Sequence, residues 1–141
     1  MDHEVTAPGV VVAVDVGTVR VGVAASDPHR ILASPVETVV APGLARVADI
    51  VAEREAVLVV VGLPTSLSGK AHSASAQMAV DWAAELSHLI AVPVELVDER
   101  LTTVAATQAL RASGKKGKQA RALVDQAAAV ALLQGVLERR R

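Results

Sequence analysis

The 141-residue chain contains no cysteine, phenylalanine or tyrosine, and its one aromatic side chain is Trp82. Without cysteine there is no disulfide framework, thiolate nucleophile or cysteine-based zinc site. With a single ring, the chain also lacks the row of aromatic side chains on which single-stranded bases stack in many nucleic-acid-binding domains. The apolar content is nevertheless 52%, which excludes intrinsic disorder and predicts a folded domain with an aliphatic core.

The chain also lacks long hydrophobic runs and a net charge of either sign. An apolar run such as residues 56–61 is far shorter than the roughly 18 residues of a membrane-spanning helix. The first residues are acidic and show no signal-peptide pattern, so we expect a cytoplasmic protein without a membrane partner. The formal net charge of −1 provides no global basic field. The length predicts one domain over residues 1–141, with an ordered core over about residues 10–137.

Short β-branched runs alternate with helical patterns along the chain. Residues 10–16 predict a buried central strand, and residues 19–24 predict a second strand that forms a hairpin with it. In a third extended stretch, at residues 31–40, Pro35 indicates an edge strand or a bulge. The remaining predicted elements are a helix over 44–54, a strand over 56–61, a helix over 73–89, a strand over 93–97, a helix from Thr102 or Thr103 to about Ala112, and a helix over 119–137. The order βββαβαβαα predicts an α/β fold in which antiparallel strands are extended by parallel ones.

Acidic residues occur at three places where buried structure is predicted. Asp15 is the second-to-last residue of the first strand, Asp98 and Glu99 end the fifth, and Asp125 lies within the last helix. A buried charge is costly unless it is paired or binds a metal. If the first and fifth strands are adjacent and parallel, their carboxylates converge at the edge where open α/β sheets bind ligands. Because neighbouring strand residues point to opposite faces, Asp98 and Glu99 cannot serve one site equally.

Converging carboxylates repel one another unless a divalent cation neutralises them. Oxygen ligands without cysteine or clustered histidine favour Mg²⁺ or Mn²⁺, and two such ions can hold the attacking and leaving oxygens of a phosphodiester. The alternative for each carboxylate is structural. Asp15 could cap a turn, Glu99 could pair with Arg100, and Asp125 could bond the loop before its helix.

Four sequence motifs extend across nearly the whole chain. They are Asp15-Val16-Gly17-Thr18-Val19-Arg20-Val21-Gly22-Val23-Ala24 with Ser26-Asp27; Val61-Gly62-Leu63-Pro64 with Gly69; Asp98-Glu99-Arg100-Leu101-Thr102-Thr103; and Val124-Asp125-Gln126-Ala127-Ala128-Ala129 with Leu132-Leu133-Gln134. In this order and spacing they resemble the YqgF family of pre-16S rRNA nucleases, also described as Holliday junction resolvase-like proteins. Val19 and Ser68 stand where that family often has a lysine and an acidic residue, which bears on substrate preference.

The resemblance implies an RNase H-like fold with a mixed five-stranded sheet and metal-dependent hydrolysis of phosphodiesters. It implies that Asp15, Glu99 and Asp125 are the catalytic ligands of Mg²⁺ or Mn²⁺, with Asp98 as the alternative to Glu99. The implied substrate is the 5′ end of precursor 16S rRNA, and the alternative substrate is a four-way DNA junction. A further alternative is a non-catalytic ribosome-maturation factor built on the same fold.

Basic residues that could contact nucleic-acid phosphates flank the proposed ligands. These candidates are Arg20, Lys70, Arg100, Lys115, Lys116, Lys118 and Arg121. Lysine and arginine neutralise the phosphate backbone without reading sequence, which predicts salt-dependent binding with weak sequence discrimination. The alternative is that the lysines lie in a solvated loop and the two motif arginines only neutralise the carboxylates. Trp82 and the alanine-rich last helix could serve either the core or the interface of a homodimer.

Overall fold

Short runs of valine and alanine form five strands, as their β-branched pattern predicts. A computed structural model of the chain describes residues 9–64, 74–99 and 118–140, with the side chains of the last range described from residue 126 onward. The strands are β1 (Val10–Val16), β2 (Arg20–Ser26), β3 (Ala33–Val40), β4 (Ala56–Leu63) and β5 (Val94–Asp98). The helices are α1 (Leu44–Glu53), α2 (Ala74–Leu89) and α3 (Lys118–Arg139).

Two helix predictions have different outcomes. The last helix, predicted over 119–137, is observed with nearly the same bounds and begins at Lys118, the basic residue just before the predicted start. The helix predicted from Thr102 or Thr103 to Ala112 lies outside the described residues. Among the described helices, none has the length and hydropathy required to cross a bilayer.

The five strands form one mixed sheet in the order β3-β2-β1-β4-β5. β1 pairs antiparallel with β2, and β2 pairs antiparallel with β3, whereas β1, β4 and β5 run parallel. Pro35 lies on the edge strand β3, where the pairing with β2 shifts register between Val23 and Ala24. Both interpretations of Pro35 are therefore confirmed, because proline lacks the N–H that a central strand needs.

The two faces of the sheet are covered by different helices. Along β1, Val12 and Val14 contribute to the core cluster beneath α1 and α2. Val11 and Ala13 point to the other face and belong to the cluster formed with α3. Because of this alternation, each residue of the parallel strands can be assigned to one face of the sheet. Only carboxylates on the same face can lie close together.

Trp82 and the alanine-rich face of α3 both belong to the core. Trp82 is 5% exposed, and its indole N–H donates a hydrogen bond of 2.6 Å to the Pro42 carbonyl oxygen. On α3, Ala129 and Leu133 are fully buried against the sheet. These residues therefore give no support to a homodimer formed through them.

Two glutamines attach α3 to the edge strand β3. The Gln134 side chain accepts a hydrogen bond from the Ala33 N–H at 2.9 Å and donates one to the Ile31 carbonyl oxygen at 3.2 Å. Nearer the start of the helix, Gln126 donates a hydrogen bond of 2.9 Å to the Thr38 hydroxyl oxygen. Directional bonds at both positions set how far α3 is shifted along the sheet.

Candidate active site at the carboxyl edge of the parallel strands

Asp15 and Glu99 lie on the same face of the sheet. Asp15 follows Ala13 by two residues on β1, so it shares the face that α3 covers. Glu99 lies directly after β5 and follows Val97, a member of the same α3-facing cluster, by two residues. Asp98 has the opposite parity. The alternation of side chains therefore favours Glu99 over Asp98 as the partner of Asp15.

The two strands that carry these carboxylates, β1 and β5, run parallel but are not neighbours, so the condition of adjacency is not met. β4 lies between them, with Val14 of β1 beside Val61 and Gly62 beside Val97 of β5. Continuing the β1–β4 register by one residue sets Asp15 beside Gly62. Adjacent strands are about 4.8 Å apart, so the two carboxylates start from backbones about 10 Å apart.

The side chain of Glu99 crosses this separation over Gly62. A Cβ atom at Gly62 would lie 2.8 Å from Glu99 Cγ and 2.9 Å from its Cδ and Oε2. The carboxyl group of Glu99 reaches Asp15 and forms a side-chain hydrogen bond with it. The structure therefore brings together two of the three carboxylates that the sequence singles out, from strands on either side of β4.

The Glu99 carboxyl group is electrostatically unfavourable in its ionised form. Burial raises the pKa of Glu99 above its ordinary 4.5, and the negative charge of Asp98 raises it further, while the hydrogen bond with Asp15 acts in the opposite direction. A hydrogen bond between two carboxyl groups requires a proton on one of them. A divalent cation could replace that proton, and carboxylate oxygens are the donors that Mg²⁺ and Mn²⁺ prefer.

The third carboxylate, Asp125, lies on α3 at the same level of the sheet. The hydrogen bond from Gln126 ends on Thr38, which pairs with Gly22, and Gly22 pairs with Asp15. The backbone next to Asp125 therefore lies over the row of strand residues that contains Asp15. The side chain of Asp125 is outside the described part of the structure. Among the side chains that are described, no group of three histidine, cysteine, aspartate or glutamate residues could hold a metal ion.

Arg20 lies at the rim of this site. It opens β2 two residues before Gly22 and so shares the face of Asp15, and its carbonyl oxygen accepts a hydrogen bond of 2.9 Å from the Gly17 N–H. Lys118 and Arg121 are in the first turn of α3, and their side chains are not described. The other basic candidates lie outside the described residues: Lys70, Arg100, Lys115 and Lys116.

The comparison with known proteins decides the family. The model of the RuvX family, described as Holliday junction resolvase, matches residues 9–139. The chain belongs to this family. RuvX membership confirms the resemblance found in the four sequence motifs, because the match covers all of them.

Curated relatives of this RuvX chain carry the name "Putative pre-16S rRNA nuclease". The protein of Mycobacterium ulcerans is 54% identical over 133 residues, which cover 91% of this chain and 78% of the relative. The protein of Leifsonia xyli is 50% identical over 137 residues, which cover 94% of this chain and 88% of the relative.

Solved structures show the same fold at low sequence identity. Thermus thermophilus RuvC in complex with a Holliday junction substrate has a TM-score of 0.64 and 16% identity, and the match covers 94% of this chain and 95% of that one. Another T. thermophilus RuvC structure has a TM-score of 0.57, with 18% identity and coverage of 93% and 95%. These likenesses confirm the RNase H-like fold with a mixed five-stranded sheet for this RuvX chain.

Sequence reasoning missed the two glycines that flank Asp15 in its row. Gly22 lies beside Asp15 on β2, and Gly62 lies on the other side on β4. Glycine inside a strand pattern signals close approach of another group, so Gly62 could have been singled out within the RuvX motif that contains it. Gln126 was also missed as an anchor, because its partner on β3 lies 88 residues away in the sequence.

Proposed function

We propose that this RuvX chain is a single-domain endonuclease, dependent on Mg²⁺ or Mn²⁺, that hydrolyses phosphodiester bonds in structured nucleic acid. The observation that carries the proposal is the hydrogen-bonded carboxyl pair of Asp15 and Glu99 at the carboxyl edge of the parallel strands. The names of the curated relatives support the 5′ end of precursor 16S rRNA as the substrate. Such a substrate also supports a cytoplasmic location.

Three carboxylates hold the divalent cation in this proposal. Asp15 and Glu99 supply two of them, and Asp125 supplies the third from α3, whose backbone lies at the level of Asp15. Bound there, the cation would lower the pKa of a water molecule and neutralise charge on the phosphate oxygens. In their ionised forms, Asp15 and Glu99 would hold the cation from the face of the sheet that α3 covers.

Arginine and lysine side chains hold the nucleic acid by its phosphates. Arg20 contributes from the rim of the site, on the same face as Asp15. Lys118 and Arg121 contribute from the start of α3, and the remaining contacts are Lys70, Arg100, Lys115 and Lys116. Since such contacts release counterions from the nucleic acid, binding should weaken steeply between low and moderate salt.

A four-way DNA junction is the second candidate substrate. The description of the RuvX family favours it, because that description names Holliday junction resolvase activity. A cation held by the same carboxylates would support hydrolysis of either RNA or DNA. The choice therefore depends on the basic surface that surrounds the site rather than on the chemistry at its centre.

Cleavage of both substrates by matched variants tests the proposal. Labelled precursor 16S rRNA and a labelled four-way DNA junction are incubated with the protein in Mg²⁺, Mn²⁺ or EDTA. Asp15→Asn and Glu99→Gln should each reduce the cleavage rate by more than about 100-fold, since even the loss of an outer partner of a metal ligand costs 10–100-fold. Asp98→Asn is the matched control, because Asp98 points to the opposite face, and it should retain the rate within a few-fold.

The outcomes separate the alternatives. Normal cleavage by Asp15→Asn, or cleavage in EDTA, would contradict the proposed metal site. Binding without cleavage of either substrate would identify a non-catalytic ribosome-maturation factor. Cleavage of the junction alone would identify the DNA resolvase.

A further inference from the structure

Gly62 occupies the point at which the Glu99 side chain crosses β4. The three atoms nearest to a Cβ built at Gly62 all belong to Glu99, namely Cγ at 2.8 Å and Cδ and Oε2 at 2.9 Å. Real Cβ atoms do not approach other atoms this closely, so a larger residue at position 62 would require movement. The side chain of Glu99 can rotate about its own bonds, whereas the paired backbones of β4 and β5 cannot move without breaking the sheet.

The backbone conformation does not require glycine at this position. Gly62 lies inside β4 and pairs in register with Val97 of β5, and its φ is not in the positive range. Glycine inside a strand weakens the strand, since it loses more conformational entropy and packs no side chain. The absence of a side chain at position 62 leaves the space that the Glu99 side chain occupies on its way to Asp15.

We propose that Gly62 is a positioning residue whose missing side chain lets Glu99 reach across β4 to Asp15. The inference rests on the proposed function, because it assigns to Gly62 the assembly of the carboxyl pair that holds the cation. In this proposal β4, the strand between β1 and β5, contributes to the site by lacking a side chain at Gly62 rather than by supplying a ligand.

The Gly62→Ala variant tests the consequence for the cation. Alanine should displace the Glu99 carboxyl group from Asp15 while the sheet stays intact. Mn²⁺ affinity, measured by calorimetry, should therefore fall about as much as it falls in Glu99→Gln. The double variant should lose no more than either single variant, because both changes remove the same ligand. Additive losses would overturn the proposal.

A double-mutant cycle on unfolding tests the contact without metal or substrate. Gly62→Ala is introduced into the wild type and into Glu99→Ala, and the unfolding equilibrium constant is measured in urea. Without the Glu99 side chain, the three atoms nearest to the added methyl group are gone, so its effect on the equilibrium constant should differ between the two backgrounds by more than about twofold, as expected for residues in contact. An equal effect in both backgrounds would overturn the proposal.

Gly9→Ala is the matched control for crowding in the sheet. A Cβ at Gly9 would lie 2.7 Å from both Cγ atoms of Val57, so it meets a side chain as closely as at Gly62. This variant should leave Mn²⁺ affinity unchanged and show no coupling to Glu99→Ala. If the wild type binds no Mn²⁺ but Gly62 and Glu99 are coupled in unfolding, the contact is supported and the proposed nuclease function fails. A structure of Gly62→Ala that retains the Asp15–Glu99 hydrogen bond would overturn the proposal.

Discussion

Replacement of Gln134 by alanine should loosen the attachment of α3 to the sheet. Gln134 accepts a hydrogen bond from the Ala33 N–H at 2.9 Å and donates one to the Ile31 carbonyl oxygen at 3.2 Å. Ala33 is only 6% exposed, so water cannot readily replace the lost acceptor, and the unsatisfied N–H costs about 1–3 kcal/mol. Ile31 is 61% exposed, so its carbonyl can turn to water, and that bond contributes about 0.5–1 kcal/mol.

The two terms sum to about 1.5–4 kcal/mol, and the higher helix propensity of alanine returns a few tenths. We therefore expect Gln134→Ala to lower the free energy of unfolding by about 2 kcal/mol. With a urea dependence of about 2 kcal/mol/M, the denaturation midpoint should fall by about 1 M. Circular dichroism during urea titration measures this shift.

Gln77→Ala is the matched control for that titration. Gln77 is exposed on α2 and donates a hydrogen bond of 2.8 Å to Asp81 one turn away on the same helix. A bond of this kind contributes less than about 0.5 kcal/mol, so the midpoint should hardly change. If Gln134→Ala shifts the midpoint no more than Gln77→Ala does, the two backbone contacts do not fasten α3 to β3.

Three further predictions concern α3, the core and pH. Gln126→Ala removes the hydrogen bond that joins α3 to β3 at the level of the site. The cleavage rate should therefore fall several-fold, and the free energy of unfolding should fall by about 1 kcal/mol. An unchanged cleavage rate would contradict the role of Gln126 in positioning α3. Trp82→Phe deletes the hydrogen bond to the Pro42 carbonyl oxygen and part of a buried ring, so thermal denaturation should show a loss of about 1–2 kcal/mol. The hydrogen bond from Arg46 holds the pKa of Glu37 below its ordinary 4.5. The ion pair therefore stabilises the fold above pH 4.5, and this contribution disappears as the pH falls through the lowered pKa of Glu37. Both side chains are more than a third exposed, so Arg46→Gln should remove only a small part of the stability near pH 7 and flatten the acid limb of the stability curve.

Local patterns in the sequence predict the strands, most of the helices and the position of the acidic residues along them. The valines and the alanine of Val10–Val16 can pack on both faces, which predicts a buried strand. Asp15 is the second-to-last residue of this strand in the structure, as it is in the prediction. Period-2 alternation also separates Asp98 from Glu99. These features are local, since they depend on side-chain size, branching and parity within a few residues.

Which strands and helices meet depends on contacts between distant parts of the chain. Strand order depends on long-range pairing that no local pattern records, so the sequence left open whether β1 and β5 are adjacent, and in the structure β4 lies between them. Gly62 acquires its significance from that order, because it leaves the space that Glu99 crosses to reach Asp15. The anchor of Gln126 on β3 likewise joins residues 88 positions apart. Their proximity results from burying both faces of the sheet under helices, which is a property of the whole chain.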